Sequence, residues 1–146
     1  MYQQKISIYA AVICLFMITA TAQANPLLRC AVTYAGATSQ IETRIVHDQM
    51  VSPSSDTNGA YTSESIDIGG RFRFKAVMLG AGSQPDMVKL YIYYETHIQP
   101  VLLQEVKYAA PFNFSSDPYS LTGHNYLYSP PLDRELQYGC NLVEEE

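Results

Sequence analysis

The side chains best suited to chemistry in this sequence are its cysteines, three histidines, a scatter of carboxylates and twelve tyrosines. Cys30 and Cys140 lie one near each end of the segment that follows Ala24. They form no Cys-x-x-Cys, and Arg29 is the only basic neighbour, so neither has the thiolate-stabilising surroundings of a redox centre. In an oxidising compartment the expectation is one intramolecular disulfide. Leu28, Cys30, Val32 and Tyr34 share one parity, as do Leu136, Tyr138, Cys140 and Leu142. Both sulfurs should therefore point into a core, and the first and last strands must be neighbours or face each other across it.

The histidines, His47, His97 and His124, are isolated. None has a second ligand at a metal-binding spacing, and only His47 has an adjacent carboxylate, Asp48, so no metal site and no cofactor are expected. Asp56-Thr57-Asn58-Gly59 has the composition of a calcium loop without its ligand spacing or closing Glu. Asp48, Asp67, Glu95 and Glu105 are carboxylates that could converge for glycoside chemistry, but their spacing singles out no pair. There is no G-x-S-x-G, and Gly80-Ala81-Gly82 leads to a turn and a strand rather than to a phosphate-binding helix N-terminus. The expected chain is not an enzyme.

Ten tyrosines remain once Tyr2 and Tyr9 are set aside. Tyr91 and Tyr93 share a face with Lys89 and Glu95. If exposed, they form an aromatic stripe for a protein or glycan partner, since tyrosine offers apolar area and a polar tip at small entropic cost. If covered, they are strand-formers packed under a second sheet or a loop. Tyr91 and Tyr93 are the candidate partner-binding residues.

The elements that position these groups read as strands. In Met87 to Ala109, Val88, Leu90, Ile92 and Tyr94 alternate with Lys89, Tyr91, Tyr93 and Glu95, the period-two pattern of a half-buried strand. Pro100 restarts an extended run, Val101 to Tyr108, giving a central hairpin that needs further strands against its apolar face. Ahead of it, Ala35-Gly36-Ala37 turns the chain into a second strand around Ile41, Thr43 and Ile45. In Glu64 to Leu79, Ile66, Ile68, Phe72, Phe74, Ala76 and Met78 share a parity across Gly69-Gly70. A two-residue turn there would set apolar Ile68 against Arg71, so the expectation is one strand bent at the glycines, with a three-residue loop as the other consistent solution. Ser52 to Ser63 reads as a loop, and so does Pro111 to Pro118, with Phe112 and Phe114 as anchors and Asn113-Phe114-Ser115 as a glycosylation triplet. Tyr119 to Tyr128 reads as a strand interrupted at Gly123, and Arg134 to Leu142 as the last strand.

Residues 1–24 have the layout of a signal peptide. Lys5 precedes an apolar run from Ile6 to Ala20, and Ala22-Gln23-Ala24 fits cleavage before Asn25. Cys14 follows bulky Ile13, unlike a lipoprotein cysteine. Removing Lys5 takes the formal charge from −5 to −6, and no cluster of Lys and Arg faces phosphates. Nucleic acid is not an expected partner, nor is a membrane once the leader is cut. No later apolar run is long enough to span a bilayer.

Residues 25–146 are expected to form one secreted or periplasmic domain. Seven or eight short strands without helical periodicity imply an all-β antiparallel sandwich, immunoglobulin-like in architecture only, or else a barrel. The functional expectation is a non-catalytic binding domain for a protein or a glycan. The alternatives are a secreted enzyme inhibitor and, behind it, a small hydrolase or metal-dependent enzyme.

Overall fold

A computed structural model of the chain describes residues 25–47, 65–129 and 134–145. The leader 1–24, the loop Ser52–Ser63, Asp48 and Asp56–Gly59 lie outside the described residues.

Alternating apolar and polar residues produce eight strands: β1 (Asn25–Tyr34), β2 (Ala37–His47), β3 (Ile66–Ile68), β4 (Phe72–Ala81), β5 (Gln84–Tyr94), β6 (Val101–Ala109), β7 (Asn125–Ser129) and β8 (Arg134–Glu145). They form one sheet in the order β6-β5-β4-β2-β1-β8-β7, with β3 pairing on β4, curled almost into a barrel. Pairing is antiparallel except between β2 and β4, which run parallel over Ile45–His47 and Met78–Gly80. β2 makes this junction. Its first part pairs with β1 from Ala37 to Arg44, and its end passes to β4. The expected all-β domain is present, with a mixed sheet in place of a purely antiparallel one.

The inward parity of both halves forms a single core. Leu28, Val32, Phe72, Phe74, Met78, Leu90, Ile92, Leu136 and Leu142 are fully buried. Cys30 and Cys140 are direct partners on adjacent β1 and β8, with Cα atoms 4.1 Å apart, and are disulfide-bonded. Tyr138 bridges the two halves. Its ring packs on Phe74 with centroids 5.5 Å apart, and its hydroxyl donates to Gln104 Oε1 on β6 at 2.9 Å. Burial, and behind it the neighbouring Tyr108 hydroxyl, push the Tyr138 hydroxyl well above the usual tyrosine range.

Three expectations are corrected. Gly69-Gly70 is not a bend in one strand. Ile68 pairs with Phe72 around a three-residue loop, Gly69–Arg71, closed by Arg71 N–H donating to Ile68 O at 3.3 Å. Both glycines are left-handed, with φ of 62° and 64°, and two such residues in succession reverse the chain, whereas a bend needs only one. The Tyr119–Tyr128 strand is confined to Asn125–Ser129, because Pro118–Thr122 turns and Gly123 is left-handed at φ 70°. Phe112 packs against the core as expected, but Phe114 is exposed.

One end of the domain collects the β1–β2 turn (Ala35-Gly36), the β3–β4 loop and the β5–β6 connection (Glu95–Pro100). Tyr34 packs edge-on against Phe72 at 5.2 Å, and Phe72 against Tyr94 at 5.7 Å. Glu95 N–H donates to Arg71 O at 2.8 Å, tying two of these loops together.

Candidate functional site

Among the described residues the most exposed tyrosines lie on and beside β7, at one end of the strand order. β7 covers only the first part of β8, from Arg134 to Tyr138. Beyond it, the segment leading into β7 continues the pairing. Leu121 N–H donates to Cys140 O at 3.0 Å, Cys140 N–H to Thr122 Oγ1 at 2.9 Å, and Ser115 N–H to Leu142 O at 2.8 Å. Asn141, itself buried, donates through Nδ2 to Ser115 O at 2.8 Å. This docking sets the Cδ1–Cε1 edge of the Tyr119 ring against Gly139. A Cβ at Gly139 would stand 2.1 Å from Tyr119 Cδ1, so only glycine admits the ring.

From Tyr119 a row of rings runs outward. The His124 ring stacks on Tyr119 at 4.8 Å and 26°, and Tyr126 lies 4.7 Å beyond it, with its hydroxyl 3.3 Å from His124 Nδ1. Asn125 Nδ2 ties the turn by donating to Thr122 O and Gly123 O at 3.0 and 3.2 Å. Two residues on, Tyr128 takes the same face, and its hydroxyl donates to Glu135 Oε2 at 2.7 Å. That bond, with a second from Gln137, holds the Glu135 carboxyl below its ordinary range and raises the Tyr128 hydroxyl. Tyr119, Tyr126 and Tyr128 are 41, 51 and 57% exposed, although each ring has a fixed partner.

A second feature is the end loop of the β5–β6 hairpin. Thr96 Oγ1 donates to Gln99 O at 2.7 Å and accepts from the N–H groups of Ile98 and Gln99 at 3.3 and 3.2 Å, so the loop is pre-shaped. It carries Ile98 at 94% exposure, near exposed Val101 and Leu102. Beside it lies an open cleft of about 680 Å³ lined by Asp67, Arg71, Tyr94, Glu95 and His97.

The residues singled out from sequence are distributed as follows. Tyr91 and Tyr93 lie half-buried on the outer face of β5, opposite Lys75 and Arg73 of β4 and Glu105 and Leu102 of β6. Burial, then the Glu105 carboxylate, raise the Tyr93 hydroxyl. Asp67 and Glu95 do meet in the cleft. Asp67 Oδ2 accepts from Gly70 N–H at 3.0 Å, and Glu95 is ion-paired with Arg73. Glu105 stands apart on β6, 3.4 Å from Lys107. His97 is exposed on the hairpin loop, and His47 ends β2. Among the described residues no three of His, Cys, Asp and Glu gather as a metal site, and no helix is long and apolar enough to cross a membrane.

Sequence reasoning missed His124, Tyr126 and Tyr128. The available signal was Tyr126-Leu127-Tyr128, in which two tyrosines share the parity opposite a core-facing leucine. No protein-family model matches the chain, and no curated protein or solved structure is significantly similar to it.

Proposed function

We propose that this protein is a non-catalytic binding module, working outside the cytoplasm, whose recognition surface is the tyrosine face of β7. One observation carries the reading. Tyr126 and Tyr128 are more than half exposed yet held in place, by His124 and by Glu135. Aromatic area that is both exposed and ordered suits recognition, because little side-chain entropy is lost on binding. Export is supported by Ala22-Gln23-Ala24 behind an apolar run, and the buried disulfide suits an oxidising compartment. Tyr91 and Tyr93 form a smaller, half-covered second patch.

The test has two parts. N-terminal sequencing of the exported protein should begin at Asn25, a retained Met1 refutes cleavage of the leader, and absence of the protein from the exported fraction refutes export. Immobilised mature domain should retain a component of the native exported fraction, and the Tyr126→Ser, Tyr128→Ser double variant should lose it while keeping its melting temperature. Retention unchanged in that variant refutes the assigned surface.

A specific observation supports the inhibitor alternative. Ile98 stands 94% exposed on a loop braced by three Thr96 hydrogen bonds, the form of an anchor for another protein's apolar pocket. Under that reading Ile98→Ser, rather than the tyrosine change, abolishes retention.

A further inference from the structure

We propose that the β7 face binds a neutral carbohydrate, with pyranose rings seated on Tyr126 and Tyr128. This rests on the binding-module reading and names its ligand class. A pyranose presents an apolar C–H face bordered by hydroxyls. Its complement is an exposed aromatic ring bordered by hydrogen-bonding groups, and β7 supplies the rings while β8 supplies the border.

Tyr126 and Tyr128 occupy successive same-face positions, roughly 6.5–7 Å apart along the strand. Across the ladder, Gln137 stands opposite Tyr126 and Glu135 opposite Tyr128. An amide and a carboxylate therefore flank the two rings, able to donate to and accept from sugar hydroxyls. The rings are oriented before any ligand arrives, Tyr126 through the Tyr119–His124 stack and Tyr128 through Glu135.

The surroundings favour a sugar over a protein. The outward neighbours on β1 and β2 are Arg29, Ala31 and Thr33, then Thr38, Gln40 and Glu42. Except for Ala31 they are polar, whereas the core of a protein interface is apolar and depleted in charge. The large aliphatic residues exposed among the described residues lie elsewhere, Ile98, Val101 and Leu102 on the β5–β6 hairpin and Ile66 on β3. Charge argues for a neutral ligand. Arg29 is paired with Glu42 at 2.9 Å and Arg44 with Glu145 at 2.5 Å, while Arg134 bonds the Tyr34 hydroxyl at 2.6 Å. An anionic glycan would meet the Glu135 carboxylate with each of these cations already engaged.

Calorimetry on the mature, disulfide-bonded domain tests the assignment, with cellotetraose, chitotetraose, maltotetraose, mannotetraose and galactotetraose as neutral probes and trigalacturonate as the anionic one. At least one neutral oligomer should bind. Its affinity should fall roughly ten-fold or more in Tyr126→Ser and in Tyr128→Ser, and stay unchanged in Ile98→Ser. Melting temperatures identify any variant that fails to fold, and Tyr128→Phe, which keeps the ring but loses its bond to Glu135, should bind more tightly than Tyr128→Ser and more weakly than wild type. Binding of none of the neutral oligomers, of trigalacturonate alone, or equally by wild type and both Ser variants overturns the proposal. If no oligomer binds but the tyrosine double variant still loses a retained protein, the carbohydrate assignment fails and the binding-module reading stands. If that retention is also unaffected, both fail.

Discussion

Replacing Gly139 with alanine should dismantle the ring row without touching an exposed residue. The new Cβ would stand 2.1 Å from Tyr119 Cδ1 and 2.6 Å from Cε1, so the ring must leave β8. Tyr119 is 41% exposed, so about three-fifths of its surface is covered. Aromatic side chains bury about 150–250 Å² when fully covered, which puts about 90–150 Å² of Tyr119 at stake. At about 25 cal/mol per Å² that is roughly 2–4 kcal/mol as an upper bound, since the displaced ring finds some cover elsewhere. The lost stack on His124 adds about 0.5–1.5 kcal/mol. Against this, alanine restricts the unfolded chain and returns about 0.4–1 kcal/mol. The net expectation is a loss of about 1–3 kcal/mol, read as a fall in melting temperature of roughly 3–5 °C for each kcal/mol. The same change placed in a Tyr119→Ala background should be neutral or slightly stabilising, because the clash is gone. The His124 ring-proton resonances should shift in Gly139→Ala as the Tyr119 ring current is removed. An undiminished cost in the Tyr119→Ala background, or unmoved His124 resonances, refutes the packing argument.

The remaining predictions address the core, the disulfide and two hydroxyls. Denatured, unreduced mature protein should contain no free thiol. Opening the Cys30–Cys140 bridge, which spans 110 residues, should cost about 4–5 kcal/mol in chemical denaturation. Ile92→Ala, at a fully buried position, should cost about 2–5 kcal/mol, whereas Tyr91→Ser and Tyr93→Ser should each cost under about 1.5 kcal/mol. Equal losses would make both faces of β5 core. Tyr138→Phe should cost about 1–2 kcal/mol at neutral pH by stripping Gln104 of its donor. It should also change the alkaline limb. The folded Tyr138 hydroxyl holds its proton above the unfolded value of about 10, so its contribution is complete below that pH and is lost as pH rises toward the folded value. A pH–stability profile of Tyr138→Phe should therefore fall less steeply above about pH 10, and an unchanged slope refutes the assignment. Tyr128→Phe should move the Glu135 carboxyl titration upward by NMR, because the hydroxyl's bond is the main cause of its depression.

Two similar tripeptides show how far the sequence carried. Tyr91-Ile92-Tyr93 and Tyr126-Leu127-Tyr128 each place two tyrosines opposite one core-facing aliphatic residue, and both aliphatic residues do face the core. Parity assigns residues to faces, because a strand side chain has only two directions to point. It succeeded equally for Cys30 and Cys140, each in an apolar series that a pleated strand must turn inward. Gly69-Gly70 marks the limit of such reasoning. Parity excluded a two-residue turn there, but the choice between bend and loop depended on two left-handed φ angles that residue type permits and does not compel. How much of an outward face is covered depends on strand order, which is a property of the whole sheet. β5 lies between β4 and β6, so Tyr91 and Tyr93 have long side chains on both flanks and are half-buried. Among the described residues β7 pairs with β8 alone, and Tyr126 and Tyr128 stay in water. The same three-residue pattern thus becomes a half-covered patch inside the sheet and an exposed one at its edge. What separates them is the partner each strand finds across the disulfide-closed chain, a contact no local window of sequence contains.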